Sequence, residues 1–272
     1  GTEVYNNGSI FNKGVIGKRT FKKFVSSFRE QIKSYLRISL YKLGIGIGKA
    51  YRKKQSFLKM DFIGILYSED FEFYNHVKFT YYPLDTIIKR DSSFVSSSNI
   101  LLGNSASYTN NHLEAFDILA KLDLQNKKII TPLSYGNKKY TDQIIEIGKQ
   151  KFGECFKPLT EFLPLSEYQK VLQGCGIVIM NHYRQQAVGN VVNAVYLGAK
   201  VYLSIKNTLY HYLKRIGCHV YCIEEDLVPD NRTAFDLLSK KQMMKNREIL
   251  KKELSLERVV SELQIKINPI LK

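Results

Sequence analysis

The stretch that decides the fold runs Gly176-Ile-Val-Ile-Met-Asn181, His182-Tyr-Arg-Gln-Gln-Ala187, Val188-Gly-Asn-Val-Val-Asn-Ala-Val-Tyr-Leu197, Gly198-Ala-Lys-Val-Tyr-Leu-Ser204. Residues 176–181 are a short β-branched apolar run, the pattern of a strand buried on both faces. Residues 188–197 carry helical spacing and stop at Gly198, the residue type that most easily takes the left-handed conformation past a helix end. Residues 200–204 repeat the strand pattern. A strand, a helix and a strand in that order make a parallel unit with the helix as crossover.

The same rhythm extends in both directions. Residues 99–103, 128–134, 155–159 and 220–224 read as further strands. Residues 110–122, 139–152, 166–173 and 208–216 read as helices, and the chain ends in Lys/Glu-rich helix. The expected fold is α/β, a Rossmann-like parallel sheet with helices on both faces. Upstream the pattern is less regular, with strand-like runs at 61–66 and 77–82. A polar, Ser-rich stretch at 89–98 is the best candidate linker. It divides the chain into 1–98 and 99–272, in line with two domains for a chain of 272 residues.

Composition narrows the class. Hydrophobic residues make up 44% and charged residues 24%, which excludes disorder, collagen and coiled coil for the chain as a whole. Four cysteines are too few for a disulfide scaffold of this size, so a reducing compartment is expected. Cys218 and Cys222, with His211 and His219 nearby, match no standard zinc spacing and read as core residues. The acid run Glu224-Glu225-Asp226 reads as a solvated turn rather than a metal grip. No run of 18 apolar residues occurs, so no transmembrane helix is expected. The chain opens on Gly1 rather than Met, so the true N-terminus is expected to lie upstream.

The net charge is +16, and it is concentrated. Residues 18–59 hold thirteen Lys and Arg against a single acid, Glu30, and so carry +12 of it. The same segment spaces Phe21, Phe24, Val25, Phe28, Ile32, Tyr35 and Leu36 along one helical face. Three readings compete: a domain helix with a solvated cationic face, a helix lying on an anionic membrane through Lys18, Arg19, Lys22, Lys23, Arg29 and Lys33, or a nucleic-acid contact. The last is the weakest, because Gly44-Ile-Gly-Ile-Gly48 breaks the helix and no nucleic-acid motif is present. No nucleic-acid partner is therefore expected.

In open parallel sheets ligands sit beyond the carboxyl ends of the strands, so the residues after each strand carry most weight. Gly103-Asn104-Ser105 through Asn110 is small, polar and feeds a helix N-terminus, which suits a phosphate; alternatively, Asn110 merely caps the helix. The loop is neither GxGxxG nor GxxxxGK[ST], which disfavours a dinucleotide site or a P-loop kinase. No GxSxG is present, so an α/β-hydrolase is unsupported. Ser134-Tyr135-Gly136 and Thr160-Glu161-Phe162 follow the next two strands. Residues 181–190 are too polar and too long for a connector. There Arg184 can pair with phosphate, Gln185 and Gln186 can donate to oxygens, and Gly189-Asn190 lets a ligand approach the helix start.

The chain resembles a known family through an ordered set of motifs. They are Ile100-Leu-Leu-Gly103-Asn-Ser105, Asn111-His112-Leu-Glu114, Pro132-Leu-Ser-Tyr135-Gly136, Tyr140-Thr-Asp142, Leu165-Ser-Glu-Tyr168 with Leu172 and Cys175, and Arg184-Gln185-Gln186-Ala-Val-Gly189. Together they resemble the TDP-N-acetylfucosamine:lipid II N-acetylfucosaminyltransferase family of enterobacterial common antigen synthesis, which is 4-alpha-L-fucosyltransferase-like and of GT-B fold. Gly1-Thr-Glu3-Val-Tyr5 resembles the tail of that family's Trp-Gly-(Asp/Glu)-x-Tyr motif. The resemblance implies that 1–98 is a partial N-terminal, acceptor-side domain and 99–272 the nucleotide-sugar donor domain. It also implies a nucleotide-sugar donor, a lipid-linked undecaprenyl-pyrophosphate glycan acceptor, a peripheral seat on the anionic inner-membrane surface at its cytoplasmic face, and no bound metal or other cofactor. Donor-binding roles then fall to Gly103, Asn104, Ser105, Asn110, Ser134, Tyr135, Gly136, Thr160, Glu161, Phe162, Arg184, Gln185, Gln186, Gly189 and Asn190. Glu3 is the first candidate for the catalytic acid or base, and His112 the second. The reading from another class is a non-catalytic basic module for anionic membrane or nucleic acid. Convergence of the five strand-end loops, the fifth being Ser204–Asn207, on one cleft would favour the enzyme, and scattered loops the module.

Overall fold

The computed structural model describes residues 15–25, 63–66, 69, 76–78, 80, 83–87 and 93–269. Among the described residues, two short strands, β1 (Ile63–Ile65) and β2 (His76–Lys78), pair in parallel as a two-stranded sheet. The main sheet comprises β3 (Ile100–Leu102), β4 (Ile129–Pro132), β5 (Phe156–Leu159), β6 (Ile177–Met180), β7 (Lys200–Leu203) and β8 (Tyr221–Cys222). All six run parallel, in the order β5-β4-β3-β6-β7-β8. Between them run helices α1 (His112–Leu119), α2 (Lys138–Phe152), α3 (Leu165–Gln173), α4 (Val188–Tyr196) and α5 (Thr208–Arg215), and after β8 α6 (Lys240–Leu254) and α7 (Leu256–Ile267).

The unbroken apolar runs follow from burial on both faces. Ile100, Leu102, Ile177, Ile179 and Tyr202 face one core with Phe116 of α1 and Ile144 of α2. Leu101, Val178, Met180, Val201 and Leu203 face the other with Val195 of α4 and Leu213 of α5. Successive residues point to opposite sides of the pleat, so both sets must be apolar. Helix α4 ends where expected: Gly198 has φ +83°, and Ala199 N donates back to Ala194 O at 2.9 Å.

Four expectations are corrected. The strand expected at 220–224 keeps only Tyr221 and Cys222, then turns helical at Ile223–Asp226. Asp226 Oδ2 accepts from Cys222 N at 2.7 Å, and Glu224 reaches back to Ser204 Oγ at 2.5 Å and Ile205 N at 2.8 Å. The acid run is thus partly a clasp between β7 and β8. The helix expected at 110–122 is His112–Leu119, preceded by a tight turn at Tyr108–Asn110. The single terminal helix is two, separated at Ser255, whose side chain accepts from Arg258 N and starts α7. The described end of the Ser-rich stretch is packed rather than free: Val95 N donates to Leu197 O at 2.9 Å, Gly176 N donates to Ser97 O at 2.6 Å, and Phe94 lies 3.8 Å beneath the Arg247 guanidinium. Cys175, Cys218 and Cys222 are buried free thiols.

Of the basic segment, residues 15–25 are described; Arg29, Lys33 and the rest of its expected helix lie outside the described residues. The Lys18–Thr20 turn continues into a wider helical turn at Phe21–Val25. Its inner face is spent on the α/β domain. The Thr20 hydroxyl and amide both donate to Glu114, Arg19 pairs with Asp117, and the Phe24 ring packs edge-on against Tyr140 at 4.7 Å. Lys18, Arg19, Lys22 and Lys23 are exposed on the outer face.

Candidate functional site

The order of strands changes direction between β3 and β6: β4 and β5 lie to one side, β7 and β8 to the other. Loops leaving β3 and β6 therefore diverge, and a crevice opens at their carboxyl ends. Gly103 makes the first turn at φ +71° and donates to Ile179 O at 2.9 Å. A Cβ there would stand 2.7 Å from Asn110 Oδ1 and 2.8 Å from His112 Nε2, so both the conformation and the space require glycine.

Beneath the crevice is a buried polar frame. Asn110 Oδ1 accepts from Asn104 N and lies next to His182 Nε2, both at 2.9 Å, and Asn110 Nδ2 donates to Ser105 Oγ at 3.1 Å. His112 Nδ1 lies 2.9 Å from the Tyr140 hydroxyl. Both histidines are fully enclosed, and burial pushes each down to about 3, so both are neutral. Asn111, at φ 51°, ties the neighbouring elements: Nδ2 donates to Asn181 O at 2.8 Å, and Oδ1 accepts from Gly17 N at 2.6 Å. The N-terminal segment is thereby fastened to the loops of β3 and β6.

Above the frame lies a cleft of about 220 Å³. Asn104 after β3, Ser134 and Tyr135 after β4, Glu161 and Phe162 after β5, and Asn190 in the first turn of α4 line it, over a floor that includes Pro132, Leu159 and Tyr168. Tyr135 is 54% and Phe162 81% exposed, so two aromatic rings stand open at the rim. The volume is below the roughly 300–1,000 Å³ of complete small-molecule sites, so the cleft suits one end of an extended ligand. Arg184 is largely buried and donates to Gln185 O at 3.0 Å. Gly189, in the first turn of α4, is exposed, and among the described residues a Cβ added there would meet nothing within 4 Å beyond its own helix turn.

The residues singled out from the sequence separate into three groups. Asn104, Ser134, Tyr135, Glu161, Phe162 and Asn190 meet at the cleft, and Gln186 reaches Asn104 Oδ1 at 3.2 Å. Ser105 and Asn110 sit inside the frame, and Gly136 pairs its backbone with Ala106 beneath the rim. Thr160 is exposed and off the cleft lining. Asn110 does not cap α1: Asn111 holds the cap position, and no side chain closes it. His112, the second candidate acid or base, is enclosed within the frame and paired with Tyr140. Glu3 lies outside the described residues. Thr109, Tyr140 and Tyr168 were not singled out as site residues. A polar residue just before an apolar helix was the available signal for Thr109.

Residues 75–247 match the 4-alpha-L-fucosyltransferase glycosyl transferase group 56 family, the family that the sequence motifs resemble. The fold is similar to three solved structures. One is AviGT4, a glycosyltransferase involved in Avilamycin A biosynthesis, at 14% identity and TM-score 0.52, over 74% of this chain and 59% of that one. Another is a mutant of S. aureus TarM in complex with Fondaparinux, alpha-GlcNAc-glycerol and UDP, at 14% identity and TM-score 0.57, over 82% and 47%. The third is sucrose-phosphate synthase from Thermosynechococcus elongatus, at 8% identity and TM-score 0.57, over 80% and 60%. The chain spans about half to three fifths of the length of solved structures it matches. With more than half of its length matched and a six-stranded parallel sheet of GT-B type, the chain belongs to the 4-alpha-L-fucosyltransferase family, glycosyl transferase group 56.

Proposed function

We propose that the protein transfers a deoxy or acetamido-deoxy sugar, of N-acetylfucosamine type, from a nucleotide diphosphate, TDP, to a lipid-linked oligosaccharide in surface polysaccharide synthesis. One observation carries this reading: the loops of β3, β4 and β5 and the first turn of α4 converge on a single cleft beside the switch in strand order. Three of the five strand-end loops line the cleft, Gln186 of a fourth reaches Asn104 there, and Ser204–Asn207 does not line it; this partial convergence favours an enzyme over a basic binding module. In this reading the base and ribose lie toward Tyr135, Glu161 and Phe162. The diphosphate lies before the first turn of α4, where main-chain N–H groups and the helix dipole favour an anion. Arg184, Gln185 and Gln186 border that position, and charge building on the leaving diphosphate would be stabilised there. UDP in the TarM complex supports a nucleotide donor as the ligand class. Glu3 stays the candidate acid or base on the resemblance alone.

The acceptor assignment places the protein on the cytoplasmic face of an anionic membrane. The exposed Lys18, Arg19, Lys22 and Lys23 support that placement, with a refinement. The apolar side of residues 15–25 is packed on α1 and Tyr140, so this part of the segment attracts by charge and does not insert.

A thermal-shift titration with TDP, UDP and GDP, with ATP as control, tests the donor reading. At a hundred times Kd a ligand bound only by the folded state adds about 2.7 kcal/mol of stability. A rise in Tm with TDP and none with ATP is expected; no rise with any diphosphate would overturn the reading.

A further inference from the structure

Three hydrogen bonds run in one direction across the mouth of the cleft. The Thr109 hydroxyl donates to Gln186 Oε1 at 2.6 Å, Gln186 Nε2 donates to Asn104 Oδ1 at 3.2 Å, and Asn104 Nδ2 donates to the Tyr135 hydroxyl at 2.9 Å. Amide nitrogens only donate and amide oxygens only accept, so the direction is fixed. The relay joins the loops after β6, β3 and β4. Asn104 is 8% exposed, and its own N–H is held by Asn110 Oδ1, so the central member is anchored from below.

The open end of the relay is a donor. The Tyr135 oxygen accepts from Asn104 and keeps its own proton. The ring lines the cleft and is half exposed, so that proton is within reach of a ligand seated there. Hydrogen bonds in a chain polarise one another in the same sense, which makes the terminal O–H a stronger donor. Around it, the lining residues Pro132, Leu159 and Phe162 present apolar surface that suits a flat ring better than a diphosphate.

We propose that the Tyr135 hydroxyl donates to a carbonyl oxygen of the bound nucleobase, and that Asn104 and Gln186 are positioning residues that aim it. This rests on the nucleotide-binding reading above. Filling the base end of the cleft would then fix Gln186, which borders the diphosphate position, so the two ends of the donor site are set together.

The test is calorimetric titration of Tyr135→Phe, Gln186→Leu and the double variant with thymidine, TDP and inorganic pyrophosphate. Phe keeps the ring and removes only the hydroxyl. Tyr135→Phe is expected to weaken thymidine and TDP by about tenfold, the scale of one well-placed hydrogen bond, and to leave pyrophosphate unchanged. Gln186→Leu is expected to weaken thymidine as well, and the double variant to bind thymidine no more weakly than the worse single. Loss confined to pyrophosphate and TDP would overturn the base carbonyl as acceptor in favour of a phosphate oxygen. Additive losses would overturn the relay, and unchanged binding in both singles would overturn the proposal. Hydrogen exchange of the ligand-free protein tests the relay by itself. Tyr135→Phe should speed exchange severalfold at amides 185–187 and leave β3 and β4 unchanged; no change at 185–187 overturns the relay. Failure of the parent protein to bind either thymidine or TDP would instead overturn the nucleotide reading, and the role of Tyr135 with it.

Discussion

His182 Nε2 lies 2.9 Å from Asn110 Oδ1, and because an amide oxygen can only accept, the ring proton sits on Nε2. The same oxygen holds the main chain of Asn104. One buried carboxamide therefore fixes both loops that flank the crevice. Asn110→Ala would leave two buried N–H groups without an acceptor, at about 1–3 kcal/mol each. A loss of about 3 kcal/mol in urea unfolding is expected; a change under about 0.5 kcal/mol would show that Asn110 is not the tie between the loops.

The two enclosed histidines set a pH dependence. Their folded values lie near 3, against 6.5 for the free side chain. The unfolded chain therefore binds protons that the folded chain refuses between those limits. Stability from this source is complete above pH 6.5 and is lost progressively as pH falls toward 3. Each proton contributes about 1.4 kcal/mol per pH unit, so the pair approaches about 2.8 per unit once both are charged in the unfolded state. Unfolding free energies should be nearly flat above pH 7 and fall increasingly steeply toward that slope as pH drops from 6.5 to 5, and His182→Gln should reduce the limiting slope by one proton. A flat profile for the parent protein would refute neutral burial.

Glu114 is one of the anchors that attach the N-terminal segment. Glu114 accepts from both the amide and the hydroxyl of Thr20, and Gly17 lies against the Glu114 side chain. Glu114→Ala should raise proteolytic cleavage at Lys18, Arg19, Lys22 and Lys23 by at least fivefold with a change in Tm of only a few degrees. Unchanged cleavage would mean that Phe24 on Tyr140 and Asn111 on Gly17 suffice.

Because the inner face of residues 15–25 is packed, membrane attraction through this part should be electrostatic. Exchanging Lys18, Lys22 and Lys23 for Ala should weaken binding to vesicles rich in anionic lipid by about 3 kcal/mol, a factor of roughly 100, and raising the salt should do the same to the parent protein. Binding to neutral vesicles, or binding indifferent to salt, would point to insertion instead.

The centre of the sheet was legible because β3, β4, β6 and β7 are compact, largely apolar runs: Ile177–Met180 and Lys200–Leu203 lose only end residues against expectation. The last strand was overestimated because Glu224 and Asp226 leave the ladder for Ser204 and Cys222, which local pattern does not encode. The cleft was legible in outline, since strand-end residues gather at a switch in strand order whatever their identity. The frame was not. His112 meets Tyr140 across 28 positions, Asn110 meets His182 across 72, and Thr20 meets Glu114 across 94. A histidine in a polar loop reads equally well as ligand or scaffold until its burial is known.

Gly189 gives the most direct test of the donor cleft. Among the described residues, no atom outside its own helix turn lies within 4 Å of where its Cβ would be, so described packing does not explain a glycine in the first turn of α4. Within a helix Ala is favoured over Gly by up to about 1 kcal/mol, so neither Gly189→Ala nor Gly189→Trp should lower Tm. Calorimetric titration with TDP should find the parent protein binding, Gly189→Ala binding several-fold more weakly, and Gly189→Trp folded but without measurable binding. Undiminished binding of TDP by folded Gly189→Trp would contradict a diphosphate seated before α4.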